Sequence, residues 1–246
     1  MKNVTGLDLV KLMSGAFGTL GALTEVTFKV LPAPETEATL VLPGLDDQKA
    51  VGALSAALGT PFEITGAAHL PPNGSEPART VIRIEGFAAS VADRSKRLAA
   101  GNAVFAGATI LDGDASRALW RDVRDLIALA APPGVPVWRL SLKPGDAPNA
   151  VQAIRRAFDC RVLYDWGGGL VWLAGGKGDD AGAAVVRGAV AAHGGYATLV
   201  RAPADVRNNV DVFQPQPAPL MTLTRSLKAA FDPAGILNPG RMYAGV

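Results

Sequence analysis

Near the start of the chain, residues 13–25 read MSGAFGTLGALTE. Glycine recurs at every third position of this apolar stretch, at Gly15, Gly18 and Gly21. Glycine weakens helices and strands alike, so such a cluster indicates backbone that turns tightly or lies close to another group. The alternating residues 26–30 that follow predict a β-strand, and the prolines after it predict its end. The sequence therefore predicts a glycine turn that leads into a strand.

Composition restricts the class of protein. The 246 residues are 49% hydrophobic, which suffices for a sizeable core. A net charge of +2 without a basic stripe argues against nucleic-acid binding, and the lone Cys160 fits a reducing compartment. No apolar run reaches the roughly 20 residues that a membrane span requires, and no signal-peptide pattern opens the chain. We therefore expect a cytoplasmic protein without a transmembrane segment.

One order of elements occurs twice beyond residue 35. Residues 36–111 and residues 136–201 each read as β-α-β-β-α-β, which is the order of a ferredoxin-like unit. The predicted fold class is therefore α+β, with two ferredoxin-like units that form an antiparallel sheet. The order leaves open whether the two units share one continuous sheet or lie side by side. An amphipathic helix over residues 114–130 is predicted between them.

A glycine-rich segment, DWGGG at residues 165–169, joins two predicted strands of the second unit. Phosphate-binding glycine loops connect a strand to a helix, and this segment connects a strand to a strand. The pattern therefore favours a hairpin turn with a packed indole over a ligand-binding loop.

The C-terminal region combines a predicted helix with a rigid tail. Four apolar residues at helical spacing predict the inward face of the helix, with Lys228 outside: Leu220, Leu223, Leu227 and Phe231. An Asn-Pro-Gly turn follows and directs Asn238 and Arg241.

Few residues indicate hydrolytic or metal chemistry. The chain has no Gly-x-Ser-x-Gly elbow, and His69 and His193 are interpreted as structural residues. Two distant histidines and one cysteine form no zinc pattern, so no metal site is predicted, and no catalytic residue is assigned. The glycine spacing differs from the Rossmann and Walker A patterns. Hydroxyls at Thr19 and Thr24 beside leucines suit a flat amphipathic ring, although the residues alone leave the ligand open.

Two segments together resemble a known flavoenzyme superfamily. Residues 2–26, which include KNVTGLDL and LMSGAFGTLGALTEV, resemble the end of the FAD-binding domain of the vanillyl-alcohol-oxidase (PCMH-type) flavoenzymes. Residues 231–243, FDPAGILNPGRMY, resemble the C-terminal signature of the same superfamily. YDWGG at residues 164–168 and HGGYAT at residues 193–198 are similar to the FAD-binding E-type subunits of bacterial glycolate oxidases.

The resemblance implies a domain division and a set of flavin neighbours. Residues 1–34 would be the remnant of the FAD-binding domain, residues 35–219 a ferredoxin-like cap or substrate domain, and residues 220–246 a helix and tail that return to the FAD domain. The implied cofactor-binding residues, with Asp8 as a supporting residue, are Asn3, Gly6, Gly15, Gly18, Thr19, Gly21, Thr24, Asn238 and Arg241.

The resemblance also implies a function. FAD would accept the electrons from a small 2-hydroxyacid, glycolate, in a complex with a sister flavoprotein subunit and an iron–sulfur subunit. Such a complex would be cytoplasmic, or peripheral at the inner membrane through its partner subunits.

Members of this family carry the loop for the FAD pyrophosphate before the position of Lys2. We therefore expect a C-terminal piece that binds FAD weakly or not at all, is inactive alone, and self-associates through exposed strand edges. The alternatives are a non-catalytic interaction module that contacts sister subunits and a related FAD-linked 2-hydroxyacid oxidoreductase.

Overall fold

The computed structural model describes residues 8–130 and 134–246. The chain divides into two compact units. One comprises the residues up to Leu31 together with Asp211–Val246, and the other comprises Pro32–Val210. We refer to them as the terminal unit and the sheet unit.

The sheet unit contains all eight strands of the described chain. The strands are β1 (Thr36–Pro43), β2 (Ile64–Leu70), β3 (Arg79–Gly86), β4 (Thr109–Asp112), β5 (Val137–Ser141), β6 (Arg161–Asp165), β7 (Leu170–Ala174) and β8 (Tyr196–Arg201). Its helices are α2 (Asp47–Leu58), α3 (Ala88–Gly101), α4 (Gly113–Arg124), α5 (Ala147–Arg155), α6 (Ala183–Ala191) and α7 (Ala204–Asn209). The terminal unit holds α1 (Leu9–Met13) and α8 (Ala218–Phe231).

The eight strands form one continuous antiparallel sheet in the order β4-β1-β3-β2-β6-β7-β5-β8. Each half has the predicted β-α-β-β-α-β order, so the α+β fold class with two ferredoxin-like units is confirmed. The second half repeats the strand order of the first in reverse. The two ferredoxin-like units of the sheet therefore meet edge to edge, with β2 of the first beside β6 of the second.

Alternating side chains give the sheet two different faces. On one face, residues such as Leu40 and Ile82 pack against α2 and α3. Leu140 and Leu173 pack in the same way with α5 and α6. The opposite face is packed by α4 against β-strand residues that include Val81. Successive side chains of a strand point to opposite faces, so the side chains that point away from the first core form this second core.

Two predicted elements differ from the structure. Residues 22–34 form neither helix nor strand, so the strand predicted over residues 26–30 is wrong, and Phe28 is 78% exposed. A strand needs a neighbour for its N–H and C=O groups, and none pairs with this segment in the described chain. The helix predicted over residues 114–130 ends at Arg124 because Leu126 adopts a left-handed conformation with φ of 55°.

Residues 202–219 contain α7 and the start of α8. Val210 at the end of α7 is buried in the core of the second repeat. The six residues of α7 lie in a stretch rich in proline and asparagine, which hides so short a helix from sequence analysis.

Candidate functional site

The glycine turn, defined as residues 15–24, follows α1 directly. Gly15 and Gly18 have positive φ values of 82° and 74°. The hydroxyl of Thr19 donates to the carbonyl of Ala16 at 2.7 Å, and Thr19 is 3% exposed. These contacts produce a tight turn with its glycines at the surface. A side chain at Gly15 would meet no atom within 4 Å, so the backbone there is open to a ligand.

Asn238 of the tail contacts this turn. Its Nδ2 donates to the carbonyl of Phe17 at 3.0 Å. A Cβ on Gly18 would lie 2.7 Å from the same Nδ2 atom, closer than van der Waals contact allows. Glycine is favoured at position 18 for two reasons. The positive φ suits glycine, and Asn238 occupies the space that a side chain would need.

A buried lysine holds the turn and the tail together. Nζ of Lys228 donates to the carbonyl of Thr19 at 2.8 Å, to the carbonyl of Leu237 at 2.6 Å and to Oδ2 of Asp232 at 2.7 Å. An ammonium has three protons, and each one here has an acceptor. We call Lys228 and Asp232, with the two carbonyls that they hold, the lysine latch.

Asp232 completes the latch from the tail side. Its Oδ2 accepts from the backbone N–H of Leu237 at 2.8 Å, and its Oδ1 accepts from that of Ile236 at 3.2 Å. The hydrogen bond from Lys228 and these backbone donors hold the pKa of Asp232 below its ordinary value of 3.8. The carboxylate thus fixes the chain where it leaves α8.

The lysine latch reverses the predicted orientation of α8. Lys228 was predicted outside but is 8% exposed, whereas Leu220 and Leu223 are 52% and 56% exposed. The apolar stripe predicted for this helix is therefore wrong. The inward position of Lys228 depends on backbone carbonyls that are distant in sequence, which no helical periodicity encodes. The spacing of Lys228 and Asp232, four residues apart, was the available signal.

The other predicted flavin neighbours occupy varied positions. A Cβ on Gly21 would lie 3.8 Å from the methyl carbon of Met13. Thr24 and Arg241 are exposed. Asp8 caps α1, where its carboxylate accepts from the N–H of Lys11 at 3.3 Å. Asn3 and Gly6 lie outside the described residues.

The arrangement fits one side of a flavin site. The open backbone at Gly15 and the exposed ring of Phe17 offer a glycine surface beside an apolar one. Phe17 packs edge-on against Phe213, with ring centroids 5.0 Å apart, and Phe213 lies 6.0 Å from Tyr243. A flat ring suits such a surface. The structure thus brings Gly15, Gly18, Thr19 and Asn238 into one region.

A second buried polar cluster lies in the sheet unit, where β2 and β6 meet. The two strands are joined by one bridge, His69 opposite Tyr164. Oδ2 of Asp47 accepts from the Tyr164 hydroxyl and from Nη1 of Arg155, both at 2.7 Å. Nδ1 of His69 lies 2.9 Å from the hydroxyl of Thr80. We call Asp47, His69, Arg155 and Tyr164 the seam cluster.

Electrostatics within the seam cluster are strongly coupled. Burial opposes ionisation of Asp47, but the neighbouring His69, the Tyr164 hydroxyl and the charge of Arg155 outweigh it and lower the pKa of Asp47. Burial, and then the Asp47 charge, raises the pKa of Tyr164 far above its ordinary value of 10.0. Nε2 of His69 lies 3.4 Å from Asp47, without hydrogen-bond geometry. The interpretation of His69 as a structural residue stays a prediction.

The described ranges are residues 8–130 and 134–246. No group of three or more His, Cys, Asp or Glu residues there could hold a metal ion. No helix there has both the length and the apolar character needed to cross a membrane.

Known proteins are similar to this chain in sequence and in fold. Residues 216–242 match the C-terminal domain of FAD linked oxidases. Glycolate oxidase subunit GlcE of Escherichia coli (strain K12) is 34% identical over 245 residues, which are 99% of this chain and 59% of that protein. Shorter matches of 48% over 42 residues and 50% over 40 residues occur in D-lactate dehydrogenase of Anaerostipes hadrus and glycolate oxidase subunit GlcD of Bacillus subtilis (strain 168). These cover 9% and 8% of those proteins, and 17% and 16% of this chain.

A solved structure with the same fold is alkyldihydroxyacetonephosphate synthase. Its TM-score is 0.57 at 17% identity, over 97% of this chain and 50% of that chain. The chain thus spans about half the length of the relatives that it matches along its whole extent. The resemblance predicted from the two end segments is confirmed, as is FAD as the cofactor of this class. Residues 216–242 are thus similar to the C-terminal domain of the FAD linked oxidases, and nearly the whole chain is similar to the glycolate oxidase subunit GlcE.

Proposed function

We propose that this chain is the C-terminal part of an FAD-binding subunit in a glycolate oxidase complex. The observation that carries the proposal is the lysine latch, which joins the two segments that resemble the FAD-linked oxidases. Those segments are more than 200 residues apart in sequence. If both segments border the same flavin, the protein has a reason to hold them together in one unit.

In this proposal the two ends of the chain serve the flavin. Residues 1–34 and 220–246 belong with the FAD-binding part, and residues 35–219 form the cap. Gly15, Gly18, Gly21 and Thr24 lie along the ring, and Asn238 and Arg241 approach it from the tail. Thr19, which is buried, supports the turn from within. The latch sets the backbone of the turn, since Lys228 bonds the carbonyl of Thr19.

The backbone at Gly15 and Gly18, with Asn238 beside it, would hold the flavin ring, and FAD when bound would supply the two-electron acceptor for oxidation of glycolate to glyoxylate. This chain's own contribution is to hold the turn rigid, since the Thr19 hydroxyl and carbonyl are both occupied within the protein. No residue is assigned as the catalytic base. A sister flavoprotein subunit and an iron–sulfur subunit would carry the electrons onward.

The exposed segment favours a second candidate function, a non-catalytic module for subunit contact. Phe28, Val30 and Leu31 are 78%, 79% and 86% exposed in residues 22–34, which form no helix or strand. Such apolar residues are typical of a surface that another chain covers. In this candidate the cap contacts sister subunits and carries no flavin.

Flavin binding separates the two candidates. The chain is expressed together with its upstream reading frame and its neighbouring subunits, and the purified complex is examined for flavin absorbance and glycolate-dependent dye reduction. We expect FAD in the subunit that contains this chain, and its loss in a Gly18→Val variant, with Gly52→Val on the outer side of α2 as the control. A complex that oxidises glycolate with flavin only in the sister subunit would contradict the proposal and support the module.

A further inference from the structure

A cavity lies in the sheet unit on the face packed by α4. It has a volume of about 810 Å³ and is bounded by α4, by β2 and β3, and by the loop between β6 and β7. We propose that this cavity binds an organic anion with a flat ring system, a ligand distinct from the small 2-hydroxyacid of the proposed reaction.

Trp120 of α4 forms the inner wall and is fixed on two sides. Its Nε1 donates to the Thr39 hydroxyl at 2.8 Å. Thr39 and Ser116 are 2.7 Å apart through their hydroxyls, and Ser116 donates to Glu37 at 2.6 Å. A directed chain of hydrogen bonds therefore runs from the indole to a buried carboxylate. The chain of hydrogen bonds orients the indole before any ligand binds.

The backbone beneath Trp120 is shaped for the indole. A Cβ on Gly66 would lie 2.7 Å from the edge of the ring, so glycine at this position lets Trp120 approach the backbone of β2. The guanidinium of Arg83 lies 4.8 Å from the centroid of the Trp120 ring. Trp172 completes this aromatic part of the lining.

Trp166 stands at the mouth of the cavity. The packed indole predicted for this turn is wrong, since Trp166 is 63% exposed. Its φ of 51° is unusual for a non-glycine residue, and its N–H is held by the Asp165 carboxylate at 2.7 Å. A strained backbone that presents a large aromatic residue to solvent is a feature of ligand sites. Arg139 lies 5.5 Å from the indole centroid.

The lining carries an excess of positive charge. Four arginines face two carboxyl residues, Glu37 and Asp165: Arg83, Arg117, Arg121 and Arg124. Burial raises the pKa of Asp165, which favours its neutral form. Three of the arginines have ion-pair partners, namely Glu85, Asp114 and Asp125.

The guanidinium of Arg121 has no hydrogen-bond or ion-pair partner among the residues that the structure describes, although its charge helps to lower the pKa of Asp125. One guanidinium is therefore available at the rim of an aromatic cavity. A guanidinium binds a carboxylate or phosphate with two parallel hydrogen bonds, and indole walls accept a flat ring.

The size of the cavity indicates a ligand larger than glycolate. Cavities of about 300–1,000 Å³ enclose ligands of drug size, and a two-carbon acid would leave most of the tryptophan surface wet. The ligand therefore combines a ring system with one anionic group.

Isothermal titration of the full chain with 2-naphthoate tests the proposal, with 2-naphthol as the uncharged probe and glycolate as the small acid. We expect saturable binding of 2-naphthoate and at least tenfold weaker binding of 2-naphthol. Arg121→Gln is expected to weaken 2-naphthoate binding at least tenfold, as is Trp166→Ala. Arg97→Gln, which alters an exposed arginine on α3 away from the cavity, is expected to change nothing.

Three results would overturn the inference. They are no saturable binding of 2-naphthoate to the folded chain, equal affinity for 2-naphthoate and 2-naphthol, and displacement of 2-naphthoate by millimolar glycolate. Both tested side chains are exposed, and thermal unfolding of each variant confirms that it is folded. None of these readouts involves flavin, so failure here and failure of the proposed function remain distinguishable.

Discussion

The lysine latch and the seam cluster are both buried polar networks, but they are built in different ways. In the latch a single ammonium bonds two backbone carbonyls and one carboxylate. In the seam cluster one carboxylate collects several side chains, and three apolar cores lie around it. Loss of one residue should therefore dismantle the latch, whereas the seam should lose only part of its stability. The predictions that follow test this contrast.

Lys228→Met should have the largest effect. The variant keeps the length of the side chain but leaves Asp232 and the carbonyls of Thr19 and Leu237 without their donor. Removing one partner of a buried ion pair costs about 3 kcal/mol or more. Denaturant unfolding should show this loss for the terminal unit. Lys49→Met, which removes an exposed lysine paired with Asp46, should change stability by less than about 0.5 kcal/mol.

Asp47→Asn should have an intermediate effect. Arg155 loses its anionic partner, and Tyr164 keeps only a neutral acceptor. We expect a loss of about 2 kcal/mol from the sheet unit. Asp93→Asn, at an exposed pair on α3, is the matched control and should be nearly neutral. A loss at Asp47 greater than that at Lys228 would contradict the contrast.

The seam should also weaken in acid. Asp47 has a pKa lower in the folded protein than its ordinary value of 3.8, so its carboxylate stabilises the fold at pH above that value. The contribution should be lost as the pH falls through the lower, folded-state pKa. Unfolding free energies measured from pH 6 downward should fall more steeply for the wild type than for Asp47→Asn. Parallel curves would show that Asp47 is not the titrating group.

Gly18→Ala should have the smallest effect of the set. The added methyl group is strained at a φ of 74° and meets Nδ2 of Asn238. A residue forced into this conformation costs about 1 kcal/mol. Adding Asn238→Ala to this variant should recover the stability lost through the contact with Nδ2 of Asn238. The stability lost through the strained φ of residue 18 should remain lost. Thermal unfolding of the two single variants and the double variant measures both parts.

Local patterns predicted the sheet unit well because its elements follow simple periodicities. Alternation in β1 and β3 and helical spacing in α2, with Asp46 as its cap, are properties of consecutive residues. The two repeats could therefore be located within a few residues. Their union into one sheet could not, because the join rests on one bridge between His69 and Tyr164, which are distant in sequence.

The terminal unit was harder to predict for the same physical reason. Asn238 and Gly18 were expected in one region only through a family resemblance, and the structure places them in contact. Lys228 was missed because a lysine is normally exposed. Its burial depends on acceptors that α8 does not itself contain, such as the carbonyl of Thr19.

Hydrogen exchange of the glycine turn tests the central claim most directly. The claim is that Lys228 makes the turn and the tail one cooperative structure. In Lys228→Met, amides of residues 16–19 and 236–241 should lose protection together while those of β1–β3 stay protected. Unchanged protection at Thr19, or loss that spreads equally to the sheet, would contradict it.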